Sequence, residues 1–215
     1  MTPYLTPYEK MQEIIRRLEE YYPDSACALE AKGDPFRLLV MAILSAQCTD
    51  ARVNKVSVAL FERFPDASAM ADGEAAEIEE YIRSCGLYRS KAKNLSLCAK
   101  RLTEVYGGEV PSAMEDLLTL PGVGRKVANL IRGDVFGLGG IVADTHCIRI
   151  TNLLGFCNTE DPKKVEFTLD PLVPKEKQSD LCHRLVQYGR DVCIARRPKC
   201  NECVLKDLCP HGGSV

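Results

Sequence analysis

The sequence predicts an all-α protein. Apolar residues recur three and four positions apart through most of the chain, as they do on the buried side of a helix. Helix-start signals, in which a capping residue precedes a proline or lies three positions before a glutamate, also recur. No pair of segments has the pattern of paired strands, and there is no long-period repeat.

The helices can be placed from these signals in chain order. Thr6-Pro7-Tyr8-Glu9 predicts a capped helix start, and Asp34-Pro35 predicts another, opening a buried central helix over 34–47. Ser112 to Glu115 predicts a second capping box, for a short helix that ends before Pro121-Gly122. The other predicted helices cover 50–64, 74–84, 90–106, 161–170 and 177–192, and one begins near Gly124.

The composition is that of an ordinary globular protein. The 215 residues, 46% hydrophobic and 27% charged, are enough for one large domain or two small ones. The longest aliphatic run, 38–44, is too short to span a bilayer, and the N-terminus has no apolar signal segment. We therefore expect a cytoplasmic protein that does not enter a membrane.

The net charge of −2 gives no general basic excess for binding nucleic acid. The segment from Cys182 to Lys206, however, holds six basic residues against two acidic ones. This segment predicts either a local basic face or a mixed solvated surface, and charge alone does not decide between them.

A glycine-rich turn, Leu120 to Gly124, joins two predicted helices. Gly122 and Gly124 allow positive φ and leave the backbone open to close approach, so the amides from Val123 onward, with Arg125, predict a phosphate site at a helix N-terminus. The alternative is a plain helical hairpin in which the glycines only form the turn.

Lys126 lies on the first turn of the second helix, where the helix dipole disfavours a cation. The same surroundings, with Arg125 adjacent, favour the neutral amine, which is the nucleophile of Schiff-base chemistry. Asp144, in the segment 142–146, is either an ordinary N-cap or a carboxylate that faces this lysine and takes its proton. A solvated surface lysine is the alternative for Lys126.

The chain has eleven cysteines and no signal segment, which favours metal binding or buried thiols over disulfide bonds. Four of them follow the spacing C-x6-C-x2-C-x5-C near the C-terminus, and this spacing predicts a metal site. Spacing alone leaves zinc and an iron–sulfur cluster equally open. The four residues are Cys193, Cys200, Cys203 and Cys209.

These segments together resemble the endonuclease III family, the bifunctional DNA glycosylase/lyases of the helix-hairpin-helix superfamily. The resemblance runs from about residue 10 to Cys209 and rests on the four cysteines and four short segments. These segments are ILSAQCTD at 43–50, GLYRSKAKNL at 86–95, LPGVGRKVAN at 120–129 and VADTH at 142–146.

The resemblance implies a role for each candidate residue. Lys126 is the family's nucleophile, Asp144 its catalytic aspartate, and Gln47 and Leu87 fill the gap that a flipped nucleotide leaves in DNA. Without the resemblance, Gln47 would be placed at a helix end and Leu87 would be a buried turn leucine. The cysteines hold a 4Fe–4S cluster. The expected DNA contacts are Gly122, Val123, Gly124, Arg125, Arg196, Arg197 and Lys199.

The family fold implies two α domains. A six-helix barrel with the hairpin covers 28–137, and residues 1–27 plus 138–215 form the cluster domain. The implied activity is removal of oxidised pyrimidines from duplex DNA, followed by β-elimination at the abasic site through a lysine Schiff base. The implied partner is double-stranded DNA with damaged bases or abasic sites, and the implied protein is a nucleoid-associated cytoplasmic monomer.

Four other readings fit the sequence less well. Adenine-mismatch and thymine-mismatch glycosylases of the superfamily lack the lysine nucleophile, and the adenine enzymes carry a further C-terminal domain. An electron-transfer iron–sulfur protein would leave the hairpin and Lys126 unexplained. A DNA-binding module without catalysis would need neither Lys126 nor Asp144.

Overall fold

The computed structural model of the protein describes residues 5–212, and all regular structure within them is helical. The chain divides into two compact units. The continuous unit is Cys27–Phe136, and the two-segment unit combines the chain up to Ala26 with the chain from Gly137 onward.

The continuous unit contains seven helices. They are α2 (Pro35–Leu44), α3 (Asp50–Arg63), α4 (Ala67–Asp72), α5 (Ala75–Ile82), α6 (Tyr88–Tyr106), α7 (Met114–Leu117) and α8 (Arg125–Asp134). The two-segment unit contains α1 (Pro7–Tyr21), α9 (Thr145–Leu153), α10 (Pro162–Leu169) and α11 (Lys175–Asp191), with 3-10 turns at Asp170–Leu172 and Lys206–Leu208.

The central helix of the continuous unit is α2. Eight of its ten residues are buried, and it packs against α3, α6 and α8, so the prediction of a buried central helix is confirmed. Asp34 caps it by accepting a hydrogen bond from the amide of Arg37 at 3.0 Å, and Pro35 is its first residue. Both features of this helix start are confirmed.

The main differences from the predicted helices are one helix end, one helix start and one helix that was not predicted. Helix α2 ends at Leu44 rather than at Gln47. The capping box at Ser112 is wrong, because α7 begins at Met114 and its N-cap, Ala113, has no side chain that can accept a hydrogen bond. Helix α4 was not predicted: it has only six residues, too few to show a period.

The two-segment unit is held together by α1. Met11, Ile14 and Leu18 are buried in one cluster with Ile150 and Leu185. The predicted capping box of α1 is confirmed, since Thr6 and Glu9 exchange both hydrogen bonds.

One arginine of α1 reaches the cysteine segment. The Arg17 guanidinium donates to the carbonyl oxygen of Val204 at 2.8 Å and to both carboxylate oxygens of Asp207. These bonds tie the N-terminal helix to the segment that carries the four clustered cysteines. No helix within residues 5–212 has the length and apolar character needed to cross a membrane.

Candidate active site and metal centre

The glycine turn rests directly on two helices of the continuous unit. Gly122 has φ +84°, a conformation that side chains disfavour. A Cβ atom there would lie 3.2 Å from the Cβ of Asn94 on α6 and 3.2 Å from the Cγ2 of Ile43 on α2. Gly122 is therefore required both by its backbone conformation and by this close approach.

The second helix of the hairpin begins one residue after the turn. Gly124 is the N-cap of α8 in extended conformation, and nothing lies within 4 Å of the position that its Cβ would occupy. Val123, 8% exposed, anchors the turn in the core. The first amides of a helix lack intrahelical partners, so this open N-terminus can bind an anion such as a phosphate.

Lys126 is the second residue of α8 and is exposed, whereas Arg125 beside it is half-buried. The amine of Lys126 thus stands on the first turn of α8, next to the open hairpin backbone, as the sequence predicts.

Gln47 and Leu87 share an unusual backbone conformation. Their φ angles are 53° and 58°, and Lys32 is the other non-glycine residue with positive φ within residues 5–212. Both side chains are exposed, Leu87 at 60%. The residue-level expectation of a buried Leu87 is therefore wrong. Such strained conformations persist only where neighbouring structure enforces them, and they concentrate at functional sites.

The segments that carry these two residues are joined to each other. A Cβ on Gly86 would lie 3.1 Å from the carbonyl oxygen of Gln47, so the two backbones are in close contact. The thiol of Cys85 lies near that of Cys48, the residue after Gln47. Burial, followed by the neighbouring Cys48 thiol, raises the pKa of Cys85 to about 11, so the thiol keeps its proton at neutral pH.

Asp144 lies in the two-segment unit, whereas Lys126 lies in the continuous unit. Its Oδ1 atom accepts a hydrogen bond of 2.7 Å from the amide of Cys147, so Asp144 is the N-cap of α9. Its Oδ2 atom accepts no hydrogen bond from residues 5–212, and the side chain is half-buried. One carboxylate oxygen is thus used by the helix and the other is available for chemistry.

The four clustered cysteines line one cavity of about 270 Å³ in the two-segment unit. Among residues 5–212, no three of these sulfur atoms lie within 4.8 Å of one another. A tetrahedral zinc ion, with Zn–S bonds of about 2.3 Å, would hold its sulfurs about 3.8 Å apart. The four thiols around this cavity form an all-cysteine ligand set, which both zinc and iron–sulfur sites use.

Two side chains donate hydrogen bonds to these sulfurs. Tyr188 is buried, with 1% of its surface exposed, and its hydroxyl donates a hydrogen bond of 3.0 Å to the Sγ of Cys203. The Arg149 guanidinium donates a hydrogen bond of 3.4 Å to the Sγ of Cys193. Burial raises the pKa of Cys193, while Arg149 acts in the opposite direction. Donors aimed at sulfur are what cluster-bound thiolates require.

The predicted basic residues lie on the loop between the first two cysteines. Arg196, Arg197 and Lys199 are all exposed, and the amide of Lys199 donates to the carbonyl oxygen of Val192 at 2.9 Å, which closes the loop. Their exposure is compatible with contacts to a polyanion.

Sequence reasoning missed the residues that support the site. Lys91, Arg149 and Tyr188 contact site segments from a distance in sequence, and neither Arg149 nor Tyr188 belongs to a recognisable motif. For Lys91, the one available signal was its place within the segment 86–95.

The class of protein that this fold and hairpin define is the HhH-GPD superfamily of base excision DNA repair proteins, whose family model matches residues 40–175. Residues 193–209, which include all four cysteines, match the iron–sulfur binding domain of endonuclease III. The chain belongs to the endonuclease III family of this superfamily, and its cofactor is a 4Fe–4S cluster.

Individual relatives cover nearly the whole chain. Endonuclease III of Synechocystis sp. is 46% identical over 94% of this chain and 92% of its own length. Endonuclease III of Bacillus subtilis is 41% identical over 95% and 93%. A solved structure of a trapped endonuclease III–DNA covalent intermediate superposes with a TM-score of 0.90, at 41% identity and with 98% of each chain covered.

Proposed function

We propose that this protein excises oxidised pyrimidines from duplex DNA and then cleaves the strand at the abasic site through a Schiff base on Lys126. The observation that carries the proposal is the exposed amine of Lys126 on the first turn of α8, behind the open glycine hairpin. A relative with 41% identity has been trapped in a covalent intermediate with DNA, which supports a covalent mechanism.

Lys126 acts as the nucleophile. Its neutral amine attacks C1′ of the damaged nucleotide, the glycosidic C–N bond breaks, and the base leaves with the bonding electron pair. Loss of the amine proton and opening of the sugar ring give an imine between Nζ and C1′. The imine acidifies the C2′ hydrogen, so its removal expels the 3′ phosphate and breaks the C3′–O bond.

Asp144 acts as the proton acceptor in this scheme. The carboxylate takes a proton from the attacking amine and stabilises positive charge that develops on the sugar. Its capping bond to Cys147 leaves Oδ2 for this task.

DNA is held through its phosphates before any chemistry occurs. The hairpin amides of Gly122, Val123, Gly124 and Arg125 bind the backbone, and Arg196, Arg197 and Lys199 supply positive charge. The damaged nucleotide flips out of the stack, and Gln47 and Leu87 enter the gap. Their exposure and joined backbones support this role.

Each unit has its own part in the proposal. The continuous unit is the helical barrel domain that supplies the hairpin and the gap-filling residues, and the two-segment unit is the cluster domain. Cys193, Cys200, Cys203 and Cys209 would hold the cluster, and their ligation would fix the loop that bears the basic residues. We propose a monomer that works in the cytoplasm, at the nucleoid.

Borohydride trapping tests the proposal. With wild-type protein and a duplex containing one abasic site, we expect a covalent protein–DNA adduct. Lys126→Ala should give none while still binding the duplex. Lys100→Ala, which changes an exposed lysine on α6, is the matched control and should trap like the wild type. Absence of a wild-type adduct would refute the lyase, and an adduct with Lys126→Ala would refute the assignment of the nucleophile.

The lesion class needs a separate measurement. Base release should be faster from a duplex with one oxidised thymine than from the same duplex with one oxidised guanine. Equal rates for the two duplexes would contradict the preference for pyrimidines.

A further inference from the structure

We propose that Lys91 is a positioning residue that holds Gln47 and Leu87 in the conformation in which they enter the DNA stack. The inference rests on the proposed role of those two side chains. It assigns a function to the most deeply buried lysine of α6, which takes no direct part in the chemistry.

Lys91 is buried in a place where lysine is rarely found. It is only 4% exposed, and its Nζ atom donates a hydrogen bond of 2.7 Å to the carbonyl oxygen of Leu44. It forms no ion pair within residues 5–212. Burying an amine is costly unless it is well paired, so this contact needs a structural reason.

The partner carbonyl lies at the C-terminal end of α2, where helix carbonyls lack intrahelical partners and carry partial negative charge. The chain beyond Leu44 does not satisfy it, because the amide of Cys48 donates to the carbonyl of Ser45 instead, at 3.1 Å. The Lys91 amine therefore takes the place of the missing backbone donor. It holds the end of α2 three residues before Gln47.

The backbone of Lys91 holds the other segment. Its amide donates a hydrogen bond of 3.0 Å to the carbonyl oxygen of Leu87, which forms the first turn of α6. Leu87 is the N-cap of this helix but has no side-chain capping bond, so its left-handed conformation gains no local help. One residue thus bonds through its side chain to the α2 end and through its backbone to Leu87.

The two strained residues need this support. A left-handed non-glycine residue is strained and persists only where its surroundings enforce it. The close contact of Gly86 with the Gln47 carbonyl fixes the spacing of the two segments. Lys91 fixes the angle between the two segments, because it bonds to Leu44 before Gln47 and to Leu87 after Gly86.

The consequence is specific for base flipping. Without the Lys91 amine, the α2 end relaxes and the two exposed side chains no longer fill one gap. A misplacement of about 1 Å can lower a rate by about 10²-fold, even when the chemical groups are intact. The loss of rate should therefore be large on duplex DNA, where a stacked nucleotide must be extruded. It should be small on a single-stranded abasic substrate, where no nucleotide has to leave a stack.

The experiment compares Lys91→Met with Lys100→Met in the cluster-loaded protein. Methionine keeps the length and apolar surface of lysine but cannot donate a hydrogen bond, and Lys100 is an exposed lysine of the same helix. Single-turnover release of an oxidised pyrimidine from duplex DNA is measured beside borohydride trapping on a single-stranded abasic oligonucleotide. A 2-aminopurine next to the lesion reports unstacking by its fluorescence.

For Lys91→Met, we expect base release to fall about tenfold or more, within the range that misplacement produces, while trapping changes less than about twofold. The 2-aminopurine signal should fall in parallel with base release. Lys100→Met should match the wild type in all three measurements. Unchanged base release with Lys91→Met, or equal losses in release and trapping, would overturn the inference.

A second variant covers the case in which Lys91→Met does not fold. Gly86→Ala places a Cβ 3.1 Å from the Gln47 carbonyl, so the two segments must shift by a few tenths of an ångström while Lys91 is unchanged. This variant should also slow base release while leaving trapping nearly unchanged. Base release that stays at the wild-type rate would overturn the inference. A wild-type protein that neither releases bases nor traps would instead contradict the proposed function itself.

Discussion

Gly122 and Asn94 are so close that a Cβ on Gly122 would lie 3.2 Å from the Cβ of Asn94. The glycine hairpin is therefore seated on α6, the helix whose first turn is formed by Leu87 and Lys91. Ile43, on the last turns of α2, is the other neighbour of Gly122. The hairpin and both gap-filling segments thus share two supporting helices within one compact unit.

Gly122→Ala should destabilise the protein, because alanine is strained at φ +84° and its methyl group meets Asn94 and Ile43. We expect a loss of about 1–3 kcal/mol in the free energy of unfolding. Urea titration followed by circular dichroism measures it. Gly124→Ser is the matched control, since serine is a good N-cap and its Cβ meets nothing within 4 Å. Equal losses for both variants would contradict this account of the turn.

Asp144→Asn should separate catalysis from capping. Asparagine caps a helix as well as aspartate does, so the thermal midpoint should stay unchanged, but the amide cannot accept a proton. Base release should fall by about 10²-fold or more, the range that general acid–base catalysis supplies. Single-turnover kinetics and DNA-binding titrations measure the two effects.

Asp161→Asn is the control for this substitution. Asp161 is the N-cap of α10 and accepts a hydrogen bond from the amide of Lys163 at 2.8 Å, the same role that Asp144 has in α9. This variant should keep both stability and base release. If both asparagine variants release bases like the wild type, Asp144 is only a cap.

Tyr188→Phe should lower the reduction potential of the cluster. Phenylalanine keeps the buried ring but removes the hydrogen bond to Cys203, and fewer donors to a cluster sulfur disfavour the reduced state. A bond of about 1 kcal/mol corresponds to a drop of roughly 40 mV for one electron. Voltammetry measures the potential.

Tyr22→Phe is the control for the tyrosine variant. Its hydroxyl donates to Asp191 at 3.1 Å rather than to a cysteine, so the potential should not move. A potential that stays constant in Tyr188→Phe as well would show that this hydrogen bond does not act on the cluster.

Local signals in the sequence were sufficient for the helix starts that follow a capping residue. Thr6 and Asp34 cap the helices that they predict, because a cap depends on residues only three positions apart. The prediction of Ser112 as a cap was wrong, although Ser112 lies three positions before a glutamate. The N-cap of α7 is one residue later, at Ala113. Spacing identifies a candidate cap, but the tertiary path of the chain selects the residue that is used.

The site was predictable where it depends on motifs and not where it depends on packing. The hairpin glycines, Lys126 and the four cysteines stand out in the sequence. The left-handed conformations of Gln47 and Leu87 do not, because they are imposed by neighbours rather than by residue type. The burial of Lys91 was equally hidden, since its partner lies 47 positions away. The catalytic roles of Lys126 and Asp144 stay predictions.

The pairing of α1 with α11 in one core sets an order for folding during synthesis. The buried face of α1, with Met11, Ile14 and Leu18, leaves the ribosome long before Leu185 is made. At about 5–20 residues per second, that face waits on the order of ten seconds or more for its partner. The continuous unit has no such delay, so the newborn chain passes through a state with one finished unit and one apolar helix open to chaperones.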